Sequence, residues 1–282
     1  MQKPIMSHLF YKAVGLYFWS KVFTEGYGVK AKIRLMPNTI FRVIFYATGA
    51  FNDLVIRFAP DVMINNKNGI FKCRKGSCDI QIVAEGFERN LTRHLMKIRS
   101  GIFVDIGANV GRYTISVARQ MGDRGKVIAI EADPKNYETL LENIKLNKLD
   151  NVYAVDVACW DKEEDIKFAS GSIGSIVKKE NPSTKTQIQD NMITVHGNTL
   201  DNILKGLSVA VVDIVKIDVE GAEKEVLLGM QDIMAKSNNI EILFEAWDEN
   251  RLEECRKVLE DNGLVVEDKE IDKKMYRARK MA

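Results

Sequence analysis

From Gly101 onward, strand-length apolar runs alternate with helical stretches, and this alternation restricts the possible folds more than any other feature of the chain. The runs are Ile102-Phe-Val-Asp-Ile106, Lys126-Val-Ile-Ala-Ile130, Val152-Tyr-Ala-Val155, Val211-Val-Asp-Ile-Val-Lys-Ile217 and Ile240-Glu-Ile-Leu-Phe244. Most are near-continuous, the pattern of strands buried on both faces of a parallel sheet. Helical patterns over Val110–Met121, Pro134–Asn147, Ala222–Met230 and Glu249–Asn262 supply the crossovers. The spacing predicts an α/β, Rossmann-like fold with a doubly wound, mostly parallel sheet. Leu264–Asp268 and Lys274–Arg279 read as a terminal antiparallel hairpin.

The composition changes before residue 100. Residues 1–60 hold 12 of the 23 aromatic side chains and eight Lys/Arg against only Glu25 and Asp53. Ile5–Phe23 and Ile40–Phe58 read as helices separated by the breakers Gly26, Gly28 and Pro37. Residues 62–85 read as short strands around turns at Asn65–Gly69 and Lys75-Gly76. The expected organisation is an N-terminal extension over 1–84 and a Rossmann-like domain over 85–282. The basic, aromatic residues 1–60 could make a peripheral contact with a membrane or an amphiphilic acceptor. The competing expectation is that these helices pack against the larger domain.

Ile40–Phe58 carries Arg42, Asp53 and Arg57, too many charges for a membrane span. The apolar run Ala13–Trp19 is too short for a secretory signal, and no small-residue cleavage site follows it. The net charge of +2 gives no global attraction to nucleic acid. His8, His94 and His196 are scattered and the four cysteines form no C-x-x-C, so no metal site is expected. A reduced, cytoplasmic setting follows, peripheral at a membrane if residues 1–60 dock there. Cys73 and Cys78 flank a turn where a bridge is a minor alternative.

The strongest local motif is Phe103-Val-Asp-Ile-Gly-Ala-Asn-Val-Gly111, a strand running into a Gly-rich turn and a helix. Such a turn brings backbone close to a ligand. A dinucleotide fingerprint needs a second glycine where Asn109 stands, so a pyrophosphate fits poorly. S-adenosylmethionine has no phosphate. Its amino-acid end suits Gly107, Ala108, Asn109 and Gly111, and its cationic groups favour a carboxylate such as Asp105. Glu131, at the end of the next strand, is positioned to accept hydrogen bonds from ribose hydroxyls. Asp156, after the third strand, could meet the adenine amino group, although a plain turn carboxylate would read the same.

These residues resemble those of the FkbM family of methyltransferases. The resemblance rests on Asp105–Gly111, Glu131-Ala-Asp-Pro134, Asn143-Ile-Lys-Leu-Asn147, Thr199-Leu-Asp-Asn202 and Lys216-Ile-Asp-Val-Glu-Gly-Ala-Glu223, in that order, across roughly residues 85–246. It implies a class I methyltransferase fold and methyl transfer from S-adenosylmethionine, commonly to a hydroxyl of a sugar, polyketide or related metabolite. The acceptor is therefore expected to be a small molecule, a glycan or a lipid. Glu131-Ala-Asp-Pro134 departs from the more usual Glu-Pro-x-Pro, and residues 1–60 have no recognised counterpart.

A hydroxyl acceptor must lose a proton, so a base is expected at the carboxyl ends of the strands. Asp218 and Glu220, where the fourth strand leaves the sheet, are the first candidates; alternatively they cap the next helix or pair with Lys216 or Lys224. His196 is the other candidate base, or a solvated loop histidine. Glu245 and Trp247 close the fifth strand, where they could bind the acceptor or be plain edge residues. The competing functions are an RNA methyltransferase, favoured by the basic N-terminus and disfavoured because Asp-Val-Glu-Gly stands where an amino-methylating motif would be, and a nucleoside-binding or membrane-surface protein without chemistry.

Overall fold

Lys67 and Asn68 turn the chain back on itself, so that β1 (Val62–Asn66) and β2 (Gly69–Cys73) pair antiparallel. The Asn66 side chain accepts from the Asn68 amide at 3.0 Å and fixes the turn. This hairpin belongs to the first of two compact units, Met1–Phe87 and Glu88–Ala282, in a computed structural model that describes residues 21–46, 56–171, 175–176 and 192–280. Most of the expected helix Ile5–Phe23, and the segment 47–55 within Ile40–Phe58, lie outside the described residues.

The first unit corrects two expectations. A helix runs from Gly28 to Tyr46 with Pro37 inside it, where a break was expected. Proline costs a helix one hydrogen bond, yet this helix continues through Pro37 to Tyr46. Asp79–Val83, expected as strand, is a short helix. Its apolar run is too short for periodicity to choose. The choice is made by Asp79, fully buried and held by the Arg74 guanidinium through two 2.8 Å bonds. All four cysteines are buried and none is in a disulfide, Cys73 and Cys78 included.

In the second unit the apolar runs form a seven-stranded sheet. Its strands are β3 (Gly101–Ile106), β4 (Gly125–Glu131), β5 (Val152–Asp156), β10 (Ile214–Ile217), β11 (Glu241–Glu245), β12 (Leu264–Val266) and β13 (Met275–Lys280), in the order β12-β13-β11-β10-β3-β4-β5. The five inner and leading strands are parallel, and β13 runs antiparallel to β11 and β12. Successive residues serve opposite faces. Val104, Ile106, Ile242 and Phe244 enter one core, and Phe103 and Leu243 the other. This is why the runs carry so few polar residues.

A second, four-stranded sheet was not expected. It consists of β6 (Ala158–Cys159), β7 (Glu164–Ala169), β8 (Ser175–Ile176) and β9 (Met192–Asn198), in the order β6-β9-β7-β8, over a small core of Ala158, Ile166, Phe168 and Val195. No helix among the described residues is long and apolar enough to cross a membrane.

The chain leaves β3 toward β4 and β5 and returns to β3's other side as β10, so the strand order reverses between β3 and β10. A crevice opens at the carboxyl ends of strands at such a reversal. The two strands are tied there by charge. Lys216 is the cross-strand partner of Asp105, both are almost fully buried, and Nζ lies 3.2 Å from the Asp105 carboxylate and 3.4 Å from that of Asp218. Burial works against the Lys216 ammonium, but the carboxylates of Asp105, Asp218 and Glu88 outweigh it and hold its pKa above the ordinary lysine value.

Removing one partner of a buried pair leaves an uncompensated charge. Lys216→Met should therefore lower the unfolding free energy by about 3–5 kcal/mol in a denaturant titration. Adding Asp105→Asn should restore part of the loss.

Candidate active site

The turn after β3 is built by backbone approach. Gly107 and Ala108 both donate to the Ile130 carbonyl at 3.0 Å. Gly107 is left-handed, and a Cβ there would stand 1.9 Å from the Asp218 carbonyl oxygen. No other residue lets β3 and β10 leave the sheet this close together. Asn109 is also left-handed, at φ 51°, and its side chain accepts from the Val110 amide at 2.8 Å, the local bond that lets asparagine tolerate this region. Gly111 then opens the helix Arg112–Met121.

Glu131 fastens this turn. One of its oxygens accepts from the Asn109 amide at 2.7 Å, and the other from the Asp133 amide at 2.9 Å and the Asn136 side chain at 3.4 Å. Burial pushes its carboxyl up to about 7, against the pull of these three donors. Asp156 is its register partner on β5 and is exposed at the same sheet end. Partial desolvation and the Asp133 carboxylate raise its pKa. Asp133 caps the helix Pro134–Leu146 and also accepts from Ser170 at 2.6 Å and Gly171 at 2.9 Å.

Asp105 is not where the sequence suggested. Instead of facing a cationic ligand it is fully buried, with one oxygen accepting from the amide and hydroxyl of Thr114 and the other facing Lys216. A carboxylate so occupied holds the start of the helix to the strands.

Across the crevice, β10 runs out through Asp218 and Glu220, and the helix-capping alternative for this pair does not hold. No side chain caps the helix Glu223–Leu228, and Glu223 itself holds the turn before it, accepting from the Gly221 amide at 3.0 Å and the Val219 amide at 3.3 Å. Both are half-buried where β10 ends, and Asp218 takes the other alternative, pairing with Lys216 at 3.4 Å. Glu220 has a left-handed backbone, at φ 54°, and its carboxyl rises to about 7. The cause is burial first, then the Asp218 and Glu223 carboxylates, opposed by Lys216.

Two members of this group were missed or left open by the sequence. Glu88, left-handed at φ 39° before the helix Arg89–Leu95, accepts a hydrogen bond from the Tyr113 hydroxyl. Its pKa is raised by burial and by Asp218. Glu245, at the end of β11, has one buried oxygen without a hydrogen-bond partner. Burial and the carboxylates of Asp218, Glu220 and Glu223 push it up to about 8, against a hydrogen bond from Trp247. Trp247 is partly exposed, with the Lys274 ammonium 4.1 Å from its ring centre. Glu88, Asn109 and Glu220 are three of the six non-glycine left-handed residues described, and such strain gathers where a ligand site over-determines the backbone.

His196 stands apart. It lies within β9, not after the strand, half exposed between Glu163 at 3.7 Å and Asp165 at 3.9 Å. It is not among the charged groups that act on Glu88, Glu220 or Glu245.

The strained Gly-rich turn, the strand-end Glu131 and the facing carboxylates suit a nucleoside ligand carrying positive charge, and they repel a pyrophosphate. Comparison with known proteins agrees. The sequence profile of the methyltransferase FkbM domain matches residues 105–277, more than half of the chain. The chain belongs to the FkbM methyltransferase family. Residues 105–277 therefore form an S-adenosylmethionine-dependent methyltransferase domain of the class I, Rossmann-like type. Methyltransferase 1 of Beauveria bassiana is 23% identical over 145 residues, covering 46% of this chain and 58% of that protein. A probable cobalt-precorrin-6B C(15)-methyltransferase of Sulfurisphaera tokodaii is 37% identical over 76 residues, covering 25% of this chain and 40% of that protein. The chain thus spans about half the length of the curated relatives it matches. Among solved structures, the methyltransferase FkbM of Methylobacillus flagellatus superposes with a TM-score of 0.47 at 12% identity, over 94% of this chain and 59% of that one.

Glu131 pins the FkbM turn and ends β4, so its loss should reach the methyl donor directly. Glu131→Ala is expected to weaken adenosylmethionine binding by about 1–3 kcal/mol, the cost of polar partners left unpaired. Calorimetry reads this; an unchanged affinity removes Glu131 from the donor site.

Proposed function

We propose that this protein methylates a hydroxyl oxygen of a sugar, glycan, lipid or related metabolite, with S-adenosylmethionine as donor and a carboxylate of the Asp218–Glu220 pair as base. The observation that carries the proposal is Glu220, half-buried just past the end of β10 among the carboxylates of Asp218, Glu223 and Glu88, with its own carboxyl raised to about 7 by burial and these neighbours. A base is most effective when its pKa lies near the working pH.

Bound adenosylmethionine supplies a methyl group on a positively charged sulfur. Gly107, Ala108, Asn109 and Gly111 would line its amino-acid end, with Glu131 and Asp156 at the nucleoside end. Asp218 and Glu88 are the carboxylates open to its positive charge, because both oxygens of Asp105 are already occupied. Glu220 then removes the hydroxyl proton from the acceptor. Asp218 and Glu88 keep Glu220 basic, and Lys216 prevents the cluster of carboxylates from repelling itself apart. The unpartnered oxygen of Glu245 is placed to accept from a second hydroxyl, and Trp247 offers a flat wall beside it. An RNA acceptor is disfavoured, since its phosphates meet the same carboxylates. The excess of Lys and Arg in the first unit instead supports peripheral contact with an anionic surface.

Asp218→Asn and Glu220→Gln keep shape and remove charge. At least one should bind donor normally and lose about 10²–10⁴-fold in transfer rate to a working hydroxyl acceptor, the range for a removed general base. Wild-type turnover in both variants would exclude the pair. The base acts only when deprotonated, so the wild-type rate should climb with pH through about 7 and level off above it. The Glu88 charge raises the Glu220 pKa, so in Glu88→Gln the same rise should move to lower pH. An unmoved profile would separate Glu88 from the base.

A further inference from the structure

Among the described side chains of the helix Gly28–Tyr46, apolar residues lie on two opposite faces, one buried and one exposed. Ala31 and Leu35 are buried, whereas Val29, Ile33, Met36 and Ile40 are 75%, 62%, 48% and 53% exposed. At about 100° per residue, these four fall within an arc of roughly 60°, on the side of the helix away from Ala31 and Leu35. A solvent face is normally polar, so four aligned large apolar residues there call for a partner. Lys30 and Lys32 flank the stripe, one on each side by the same geometry. Arg34 is turned away to the Asp61 carbonyl at 3.1 Å, and Tyr27, 54% exposed, stands just before the helix.

The charge around the stripe indicates what covers it. Residues 1–87 contain 12 Lys/Arg and five Asp/Glu, while residues 88–282 contain 29 and 34. The unit with the apolar stripe is thus the basic one. Two copies meeting stripe to stripe would bring lysines of like charge together. An anionic lipid surface suits both features, accepting a narrow apolar face at the acyl boundary and flanking ammonium groups at the phosphates.

We propose that the helix Gly28–Tyr46 docks on anionic membrane surfaces, with Val29, Ile33, Met36 and Ile40 inserted at the interface and Lys30 and Lys32 at the headgroups. The docking is independent of which acceptor is methylated.

Sedimentation of the full-length protein with vesicles tests this. It should pellet with phosphatidylcholine vesicles containing about one third phosphatidylglycerol and remain in solution with phosphatidylcholine alone, with binding weakened at high salt. The double variant Ile33→Ser, Met36→Ser should bind at least tenfold more weakly while keeping its melting temperature, because both side chains are exposed. The charge variant Lys30→Glu, Lys32→Glu should lose binding without removing any apolar contact. A wild-type protein that stays in solution with the anionic vesicles at low salt overturns the proposal. So do variants that pellet as the wild type does, or sedimentation velocity showing that the stripe holds a dimer dissolved by the Ile33→Ser, Met36→Ser change.

Discussion

A single buried ammonium holds the carboxyl ends of β3 and β10 together. Lys216 sits on β10 opposite Asp105 on β3, and its charge is shared between Asp105 within the sheet and Asp218 at the edge of the crevice. Asp105 in turn grips the amide and hydroxyl of Thr114 at the start of the helix after the Gly-rich turn. One cation thereby sets the relative position of three elements: the strand before the donor turn, the helix after it, and the strand that delivers Asp218 and Glu220. A buried pair of this kind is weak evidence of added stability, since its desolvation cost offsets much of the attraction. What it provides here is register, because any shift of β10 against β3 strands a charge.

The same ammonium makes the crowding of carboxylates tolerable. Glu88, Asp218, Glu220, Glu223 and Glu245 come from four separate parts of the second unit and act on one another electrostatically. Glu223 is spent on backbone amides, and Glu88 on the Tyr113 hydroxyl. That leaves Asp218, Glu220, the second oxygen of Glu88 and one oxygen of Glu245. Burial and mutual repulsion raise Glu220 and Glu245 to about 7 and 8, which converts ordinary carboxylic acids into groups able to exchange protons near neutrality. A crevice of this sign favours a cationic ligand over a phosphate-bearing one.

The fold was legible because its signal is local and repeated. Buried parallel strands must be apolar throughout, and runs such as Ile102–Ile106 admit few other readings. The Gly-rich turn after β3 was legible for a similar reason, since Gly107, Asn109 and Gly111 are alternate residues of one short stretch and each takes a left-handed backbone. What escaped is what depends on contacts between distant residues. Lys216 and Asp105 are 111 positions apart, so nothing near either revealed that Asp105 is neutralised inside the sheet instead of facing the donor. Glu88 lies ahead of the first strand of the sheet, and only folding brings it to Tyr113 and Asp218. The four-stranded sheet escaped because β6 and β8 have two residues each, below the length at which periodicity exists. The helix through Pro37 shows the opposite error, a strong local breaker that does not end the helix.

The central claim is that the turn after β3 and the strand-end Glu131 hold a cationic, phosphate-free nucleoside. Titration calorimetry of the full-length protein with adenosylmethionine, adenosylhomocysteine and NAD at neutral pH tests it most directly. Binding of the first two, with NAD at least tenfold weaker, a gap of about 1.4 kcal/mol, is the predicted result. NAD binding as tightly as adenosylhomocysteine, or no detectable heat with either sulfur nucleoside, would contradict it.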